Sequence, residues 1–266
     1  MKISVLASGS KGNSTLVSDG ETNILVDAGI TKSKIEKHLA IFGLSLDDIS
    51  AILITHAHID HFKGLEAILK KKSIPVFASE ETATSIELCL CECIKKGTLN
   101  IDWNYFSPGS QFTFNHLLIT PFEVPHDANG AVAYIIEENG EKIGIATDLG
   151  CITNSVRYHL QGCDALVLEM NHDMRMLKDS DRPEMLKIRI ASKLGHLSND
   201  QAAEFLDTID ASGLKYLFPA HMSEDCNDLS CVKAAILSLE KKFDFLIVKT
   251  GQEGPTPLID LSVNNL

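Results

Sequence analysis

The segment Thr55-His56-Ala57-His58-Ile59-Asp60-His61 sets three imidazoles and a carboxylate within six residues. It follows the apolar run Ala51-Ile52-Leu53-Ile54, which reads as a buried strand. Four polar groups at the end of a buried strand each need a partner once the chain folds. A divalent cation supplies one partner for all four. In extended backbone His56 and His58 point to the same side, so two imidazole nitrogens can reach one ion at ~2.0–2.1 Å. A turn into a helix would aim Asp60 and His61 at a neighbouring point, so one segment can feed two metal positions. The competing reading, a structural histidine cluster, leaves each of these groups to find its own partner.

Other ligand-type residues recur where apolar β-runs end: Asp27, His126, Asp148, His172 and His221. Strand ends on one edge of a sheet converge in space, and open α/β sheets bind ligands there. The repetition says more than any single residue.

The elements that must hold these groups are readable in outline. Strand-like runs cover Ile3–Leu6, Thr15–Val17 and Asn23–Val26, with Asp19-Gly20 as a hairpin signal between the last two. A helix is expected over Lys32–Ile41, ending at Gly43, and another over Gly64–Lys72, followed by a strand at Ile74–Ala78. Thr82–Cys93 reads as one helix, with Cys89 and Cys93 on a shared face. Trp103–Val124 is β-rich, and Ala133–Glu137 and Lys142–Ala146 flank the hairpin turn Asn139-Gly140. Strands Ala165–Leu168, Leu214–Phe218 and Phe245–Val248 then alternate with helices Glu184–Leu194, Gln201–Leu206 and Val232–Lys241. No linker interrupts them, so residues 1–266 are expected to form a single α/β domain of two mostly antiparallel sheets with helices outside.

Composition limits the function classes. At 44% hydrophobic and 23% charged residues, the chain matches a soluble protein with a substantial core. It has no apolar run of the ~18 residues that a membrane helix needs. The apolar part of the N-terminus is too short for a signal peptide, and seven cysteines, crowded at 89, 91 and 93, fit a reducing cytoplasm. A net charge of −12 opposes general phosphate neutralisation, so a nucleic-acid substrate would have to be gripped locally. Between the first two strands, Ser8-Gly9-Ser10-Lys11-Gly12-Asn13-Ser14 has small residues that let backbone approach a ligand. Its ending is not that of a P-loop.

The cluster, the later His126, the Thr147-Asp148-Leu149 segment and the final His221 resemble the metallo-β-lactamase fold superfamily, from Ile3 to His221. The resemblance implies an αβ/βα four-layer sandwich with a dinuclear site. On its pattern His56, His58 and His126 hold one metal, Asp60, His61 and His221 hold the other, and Asp148 bridges them. Asp27 then supports the site from behind. A narrower resemblance rests on Leu6–Ser14, Asn171-His172-Asp173 and Gly195-His196-Leu197-Ser198-Asn199, which are similar to the YycJ/WalJ group, regarded as 5′→3′ exonucleases. The Gly-His-Leu-Ser segment also resembles a nuclease motif whose His donates a proton. Too few residues separate Asp148 from His196 for the β-CASP insert of larger nucleases.

The expected chemistry is phosphodiester hydrolysis of a nucleic acid. A water held between two divalent ions would lose a proton and attack phosphorus, Asp60 would orient it, and His196 would protonate the leaving oxygen. Zn2+ suits the imidazole-rich set; Mn2+ and Fe2+ stay open. His172 is expected beside a metal ligand or the substrate channel, and Ser8, Ser10, Asn13, Ser198 and Asn199 near the substrate. Two other readings stay open: hydrolysis of a small cyclic phosphodiester, thioester or lactone, and a non-hydrolytic metal-binding or redox scaffold. Oligomeric state is not readable.

Overall fold

The computed structural model describes residues 1–237, 239 and 242–263. The first sheet contains β1 (Lys2–Ala7), β2 (Ser14–Ser18), β3 (Asn23–Val26), β4 (Ile49–Leu53), β5 (Val76–Ala78) and β6 (Trp103–Tyr105). The second contains β7 (Phe112–Phe114), β8 (Leu117–Glu123), β9 (Val132–Glu138), β10 (Glu141–Ala146), β11 (Ala165–Glu169), β12 (Tyr216–Ala220) and β13 (Leu246–Ile247). A last strand, β14 (Ile259–Asp260), returns to pair with β1.

Neither sheet is mostly antiparallel. In the first, β14 to β3 pair antiparallel and β3 to β6 pair parallel. In the second, β7 to β10 pair antiparallel and β10 to β13 pair parallel. The parallel halves arise because helical crossovers join those strands; hairpins can join only antiparallel neighbours.

The helices between β3 and β6 are α1 (Lys32–Ile41), α2 (Ile59–Phe62), α3 (Leu65–Leu69), α4 (Glu80–Cys89) and α5 (Cys91–Lys95). After β10 come α6 (Asn154–Leu160), α7 (Met174–Asp179), α8 (Glu184–Ile190), α9 (Asn199–Thr208) and α10 (Leu229–Ile236). Three apolar layers result. Ile24, Val26, Ala51 and Leu53 of the first sheet meet Ile143, Ile145, Val167 and Phe218 of the second. Leu25 and Ile52, on the opposite pleat, pack with Ile35 and Leu39 of α1. Leu166, Leu168 and Leu217 pack with Phe205 and Leu206 of α9 and Ile236 of α10. The central strands are therefore buried on both faces and read as unbroken apolar runs.

Several helix boundaries differ from the sequence expectation. The Thr82–Cys93 helix breaks at Leu90, so Cys89 is exposed while Cys93 is half-buried and donates to Glu66. The Gly64–Lys72 helix is shorter, ending at Leu69. The helix expected over Glu184–Leu194 stops at Ile190, whose carbonyl accepts from His196 N at 2.8 Å. Closing that turn brings the Gly195 backbone onto Ile190, and a Cβ there would lie 2.3 Å from the Ile190 carbonyl oxygen. The last helix spans Leu229–Ile236; the remainder of the expected stretch, including Lys241, reaches residues outside those described. No helix among the described residues is long and apolar enough to cross a membrane.

Candidate metal centre

β4 delivers the histidine cluster, and the chain turns into α2 directly after His58. Asp27 follows β3, His126 follows β8, Asp148 follows β10, Glu169 ends β11 and His221 follows β12. Because β8, β10, β11 and β12 run the same way, their C-terminal ends share one edge. Asp27, Asp148 and His221 have φ of 64°, 57° and 52°. Left-handed backbone at non-glycine residues costs of order 1–3 kcal/mol each, and such strain clusters at functional sites.

The donor atoms fall into overlapping groups. His56, His58 and His126 form one, with His58 Nδ1 3.2 Å from His126 Nε2. Asp60, His61 and His221 form another: Asp60 Oδ2 is 3.5 Å from Nε2 of both His61 and His221. Asp148 stands between the groups, with Oδ2 3.1 Å from His61 Nε2 and Oδ1 4.0 Å from His126 Nε2. Donors bound to one tetrahedral ion at ~2.0–2.1 Å lie about 3.4 Å from each other, so these separations fit a metal.

The orphaned atoms agree with that fit. His56 Nε2, His221 Nε2 and Asp148 Oδ2 are buried without a hydrogen bond. Burial holds the His56 imidazole well below its ordinary pKa, reinforced by the charge of His61, so it is a neutral nitrogen ready to donate a lone pair. Burial would raise the Asp60 carboxyl, yet the adjacent His221 and His61 imidazoles bring it below its ordinary value.

A buried layer fixes the donors. Asp27 Oδ2 accepts from His61 Nδ1 at 2.7 Å, and Asp27 also takes the N–H and hydroxyl of Thr55. This selects His61 Nε2 as the free nitrogen. Asn13 Nδ2 lies 3.1 Å from His61 Nε2 and 3.4 Å from Asp60 Oδ2, while Ser8 Oγ accepts from His221 N at 2.7 Å. Ser8 and Asn13 are both buried. Both side chains are engaged with the candidate donor residues; Ser10, on the same loop, is exposed.

Ser198 and Asn199, expected at the substrate, are both 2% exposed and already engaged. Ser198 caps α9 in a capping box with Gln201, and Asn199 exchanges amide bonds with Asn227. His172 is fully buried among backbone neighbours; its carbonyl accepts from Asn199 N and its Nδ1 lies 3.3 Å from Asn171 Oδ1. Asn171 Nδ2 donates to the His221 carbonyl, so His172 sits one residue removed from the donor set.

Glu169 is the residue that sequence reading missed. Its Oε1 is 2.8 Å from His196 Nδ1 and 3.0 Å from His221 Nδ1, and its Oε2 accepts from the Leu149 and Leu197 N–H groups. Burial would raise this carboxyl, but the charge and hydrogen bond of His196 outweigh it and hold it below its ordinary value. His196 is raised in turn: burial opposes the proton and Glu169 retains it. The available signal was a carboxylate closing the apolar run Ala165–Leu168, the same pattern that marked Asp27 and Asp148.

Among known proteins, residues 22–222 match the family described as "Beta-lactamase superfamily domain". The chain is 34% identical over 265 residues to Exodeoxyribonuclease YycJ of Bacillus anthracis, covering 97% of this chain and 98% of that protein. It is 30% identical to Exodeoxyribonuclease WalJ of Streptococcus pneumoniae, covering 98% of each. Among solved structures, Zn2+-bound PqqB from Methylobacterium extorquens superposes with a TM-score of 0.73 at 17% identity, covering 98% of this chain and 100% of that one. With its two mixed sheets, outer helices and clustered His and Asp donors, the chain belongs to the β-lactamase superfamily, as a metal-dependent hydrolase of the metallo-β-lactamase fold related to YycJ and WalJ.

Proposed function

We propose that the chain is a dinuclear metal-dependent phosphodiesterase that degrades polynucleotides as an exonuclease, of 5′→3′ type. His56, His58 and His126 would hold one divalent ion, Asp60, His61 and His221 the other, and Asp148 would contact both. Zn2+ suits this imidazole-rich set, with Mn2+ and Fe2+ as the carboxylate-tolerant alternatives. When bound, such a pair activates water near neutral pH and offsets charge on phosphoryl oxygens.

The observation that carries the nuclease reading is His196 paired to Glu169. His196 keeps one nitrogen bonded to a buried carboxylate at 2.8 Å, and its side chain is 18% exposed beside Asp148. An imidazole so placed retains a proton and can deliver it to a departing oxygen. Cleavage of a phosphodiester between sugars expels a poor alkoxide leaving group, which gains most from such a donor. Asp60, ionised and half-buried, lies 3.5 Å from Nε2 of both His61 and His221, a position suited to orienting the attacking water. The names of the YycJ and WalJ relatives support DNA as the substrate.

The test is incubation of protein loaded with Zn2+, Mn2+ or Fe2+ with DNA and RNA labelled at either end, beside bis-p-nitrophenyl phosphate and a thioester. Stepwise release of nucleotides from the 5′ end is the expected result. Turnover of the small esters alone would reject the nuclease reading in favour of a small-molecule hydrolase.

A further inference from the structure

Beside α2 lies a cavity of about 190 Å³ whose lining includes Lys11, Lys34, Lys63, Thr31, Gln252 and Glu253. Three lysines among seven lining residues, against the one carboxylate of Glu253, make a basic patch in a chain of net charge −12. Gathering like charges is unfavourable unless an anion joins them. Two of the three retain capacity for one. Lys34 Nζ is held by a neutral group, the Gln252 carbonyl, at 2.6 Å. Lys63 Nζ has no hydrogen-bond or ion-pair partner among the described residues. Lys11 is already paired with Glu224 at 2.6 Å, and Glu253 adds one carboxylate to the lining.

Two of the lysines, Lys11 and Lys63, also stand on segments that build the Asp60–His61–His221 group; Lys34 comes from α1. Lys63 follows His61 by two residues, and Lys11 precedes Asn13, whose N–H binds the Asp60 carbonyl at 2.8 Å. The cavity lining and the donor set are therefore carried by shared stretches of chain, Lys11–Asn13 and Asp60–Lys63. A strand with one phosphodiester at the metal group carries its neighbouring phosphates within reach of such a site.

We propose that the Lys11–Lys34–Lys63 cavity is a phosphate-binding subsite that grips a backbone phosphate of single-stranded nucleic acid flanking the bond to be cut. The proposal takes its ligand from the nuclease reading above. It also answers how an acidic chain holds a polyanion: through a local grip, with the overall surface still acidic.

The measurement is binding of a short, fluorescein-labelled, phosphorothioate-linked single-stranded oligonucleotide to the metal-loaded protein across a salt series. Each neutralised phosphate contributes a slope of about 0.7 in log K against log [salt] for single strands. K34Q/K63Q is expected to weaken binding and flatten the slope by about 0.7, the worth of one phosphate, while K34R/K63R keeps the wild-type slope. A wild-type slope in K34Q/K63Q, or equal losses in both variants, would overturn the subsite. The nuclease reading fails separately: if wild-type protein shows the lysine-dependent slope yet releases no nucleotides from unmodified strands, the phosphate site stands and the exonuclease assignment falls. If wild-type protein does not bind the strand at all, both fall.

Discussion

Glu169 Oε1 stands 2.8 Å from His196 Nδ1, so a fully buried carboxylate orients the one imidazole of the site that is left over from the proposed metal sets. The pairing gives His196 a fixed tautomer and a retained proton. His196→Ala should therefore keep its metal and lose turnover on DNA by ~10²–10⁴-fold, the usual worth of a general acid. Bis-p-nitrophenyl phosphate expels a phenolate that needs little protonation, so its turnover should fall far less. Glu169→Gln should move both substrates in the same direction by a smaller factor. Equal losses on the two substrates would show that His196 acts on metal binding or folding, not on the leaving group.

Asp27 binds no metal in the proposed arrangement, but it accepts from His61 Nδ1 at 2.7 Å. Removing a partner of this type typically costs 10–100-fold in metal affinity. Asp27→Asn is the informative variant, because Asn tolerates the left-handed φ of 64° found there. The expected outcome is a fall from two bound metals to one after dialysis, read by elemental analysis, with the His56–His58–His126 set still loaded. Retention of both metals at wild-type affinity would remove Asp27 from the support of the site.

The convergence of His56, His58, His61, His126, Asp60, Asp148 and His221 was legible because candidate ligand chemistry is written in residue type: His, Asp and strand ends are visible one residue at a time. Glu169 was not, since a lone Glu after Leu168 has the same local signature as a solvated strand terminus; only the fold turns it toward His196 and His221. Ser198 and Asn199 show the opposite error. A motif beside the proposed proton donor His196 suggested substrate contact, while a capping box and the amide pair with Asn227 account for both side chains. Strand direction was misjudged for a related reason. Doubly buried strands lose the polar alternation that distinguishes a one-sided antiparallel sheet, so the parallel halves left no pattern of their own.

His172 offers a pH test independent of turnover. Burial pushes its pKa from the ordinary 6.5 down to about 4. The unfolded chain therefore binds this proton between pH 6.5 and about 4 while the folded chain does not, so stability falls as pH is lowered across that window. The full contribution is about 3 kcal/mol, reached below the folded value. His172→Gln should flatten this limb of the stability curve, measured by urea unfolding at a series of pH values. An acid limb as steep as wild type would mean that His172 is charged in the folded protein.

Gly29 is required by space. A Cβ there would lie 1.6 Å from the Asp60 carbonyl oxygen and 2.7 Å from Asn13 N. Those atoms are bonded to each other at 2.8 Å, and Gly29 N donates to the Asn13 carbonyl at the same distance. Neither backbone can yield without moving Asp60 and His61, because Ala28 N also holds the His61 carbonyl at 2.8 Å. Gly29→Ala should therefore cost at least the ~1–3 kcal/mol of an overpacked core, about 2–12 °C in Tm for a chain of this size. It should also release the metal proposed for the Asp60–His61–His221 set. Gly213→Ala is the control, since nothing lies within 4 Å of its added methyl; thermal unfolding and metal content should match wild type there. A Gly29→Ala protein with two metals and an unchanged Tm would show that the loop and α2 can separate without disturbing the donors.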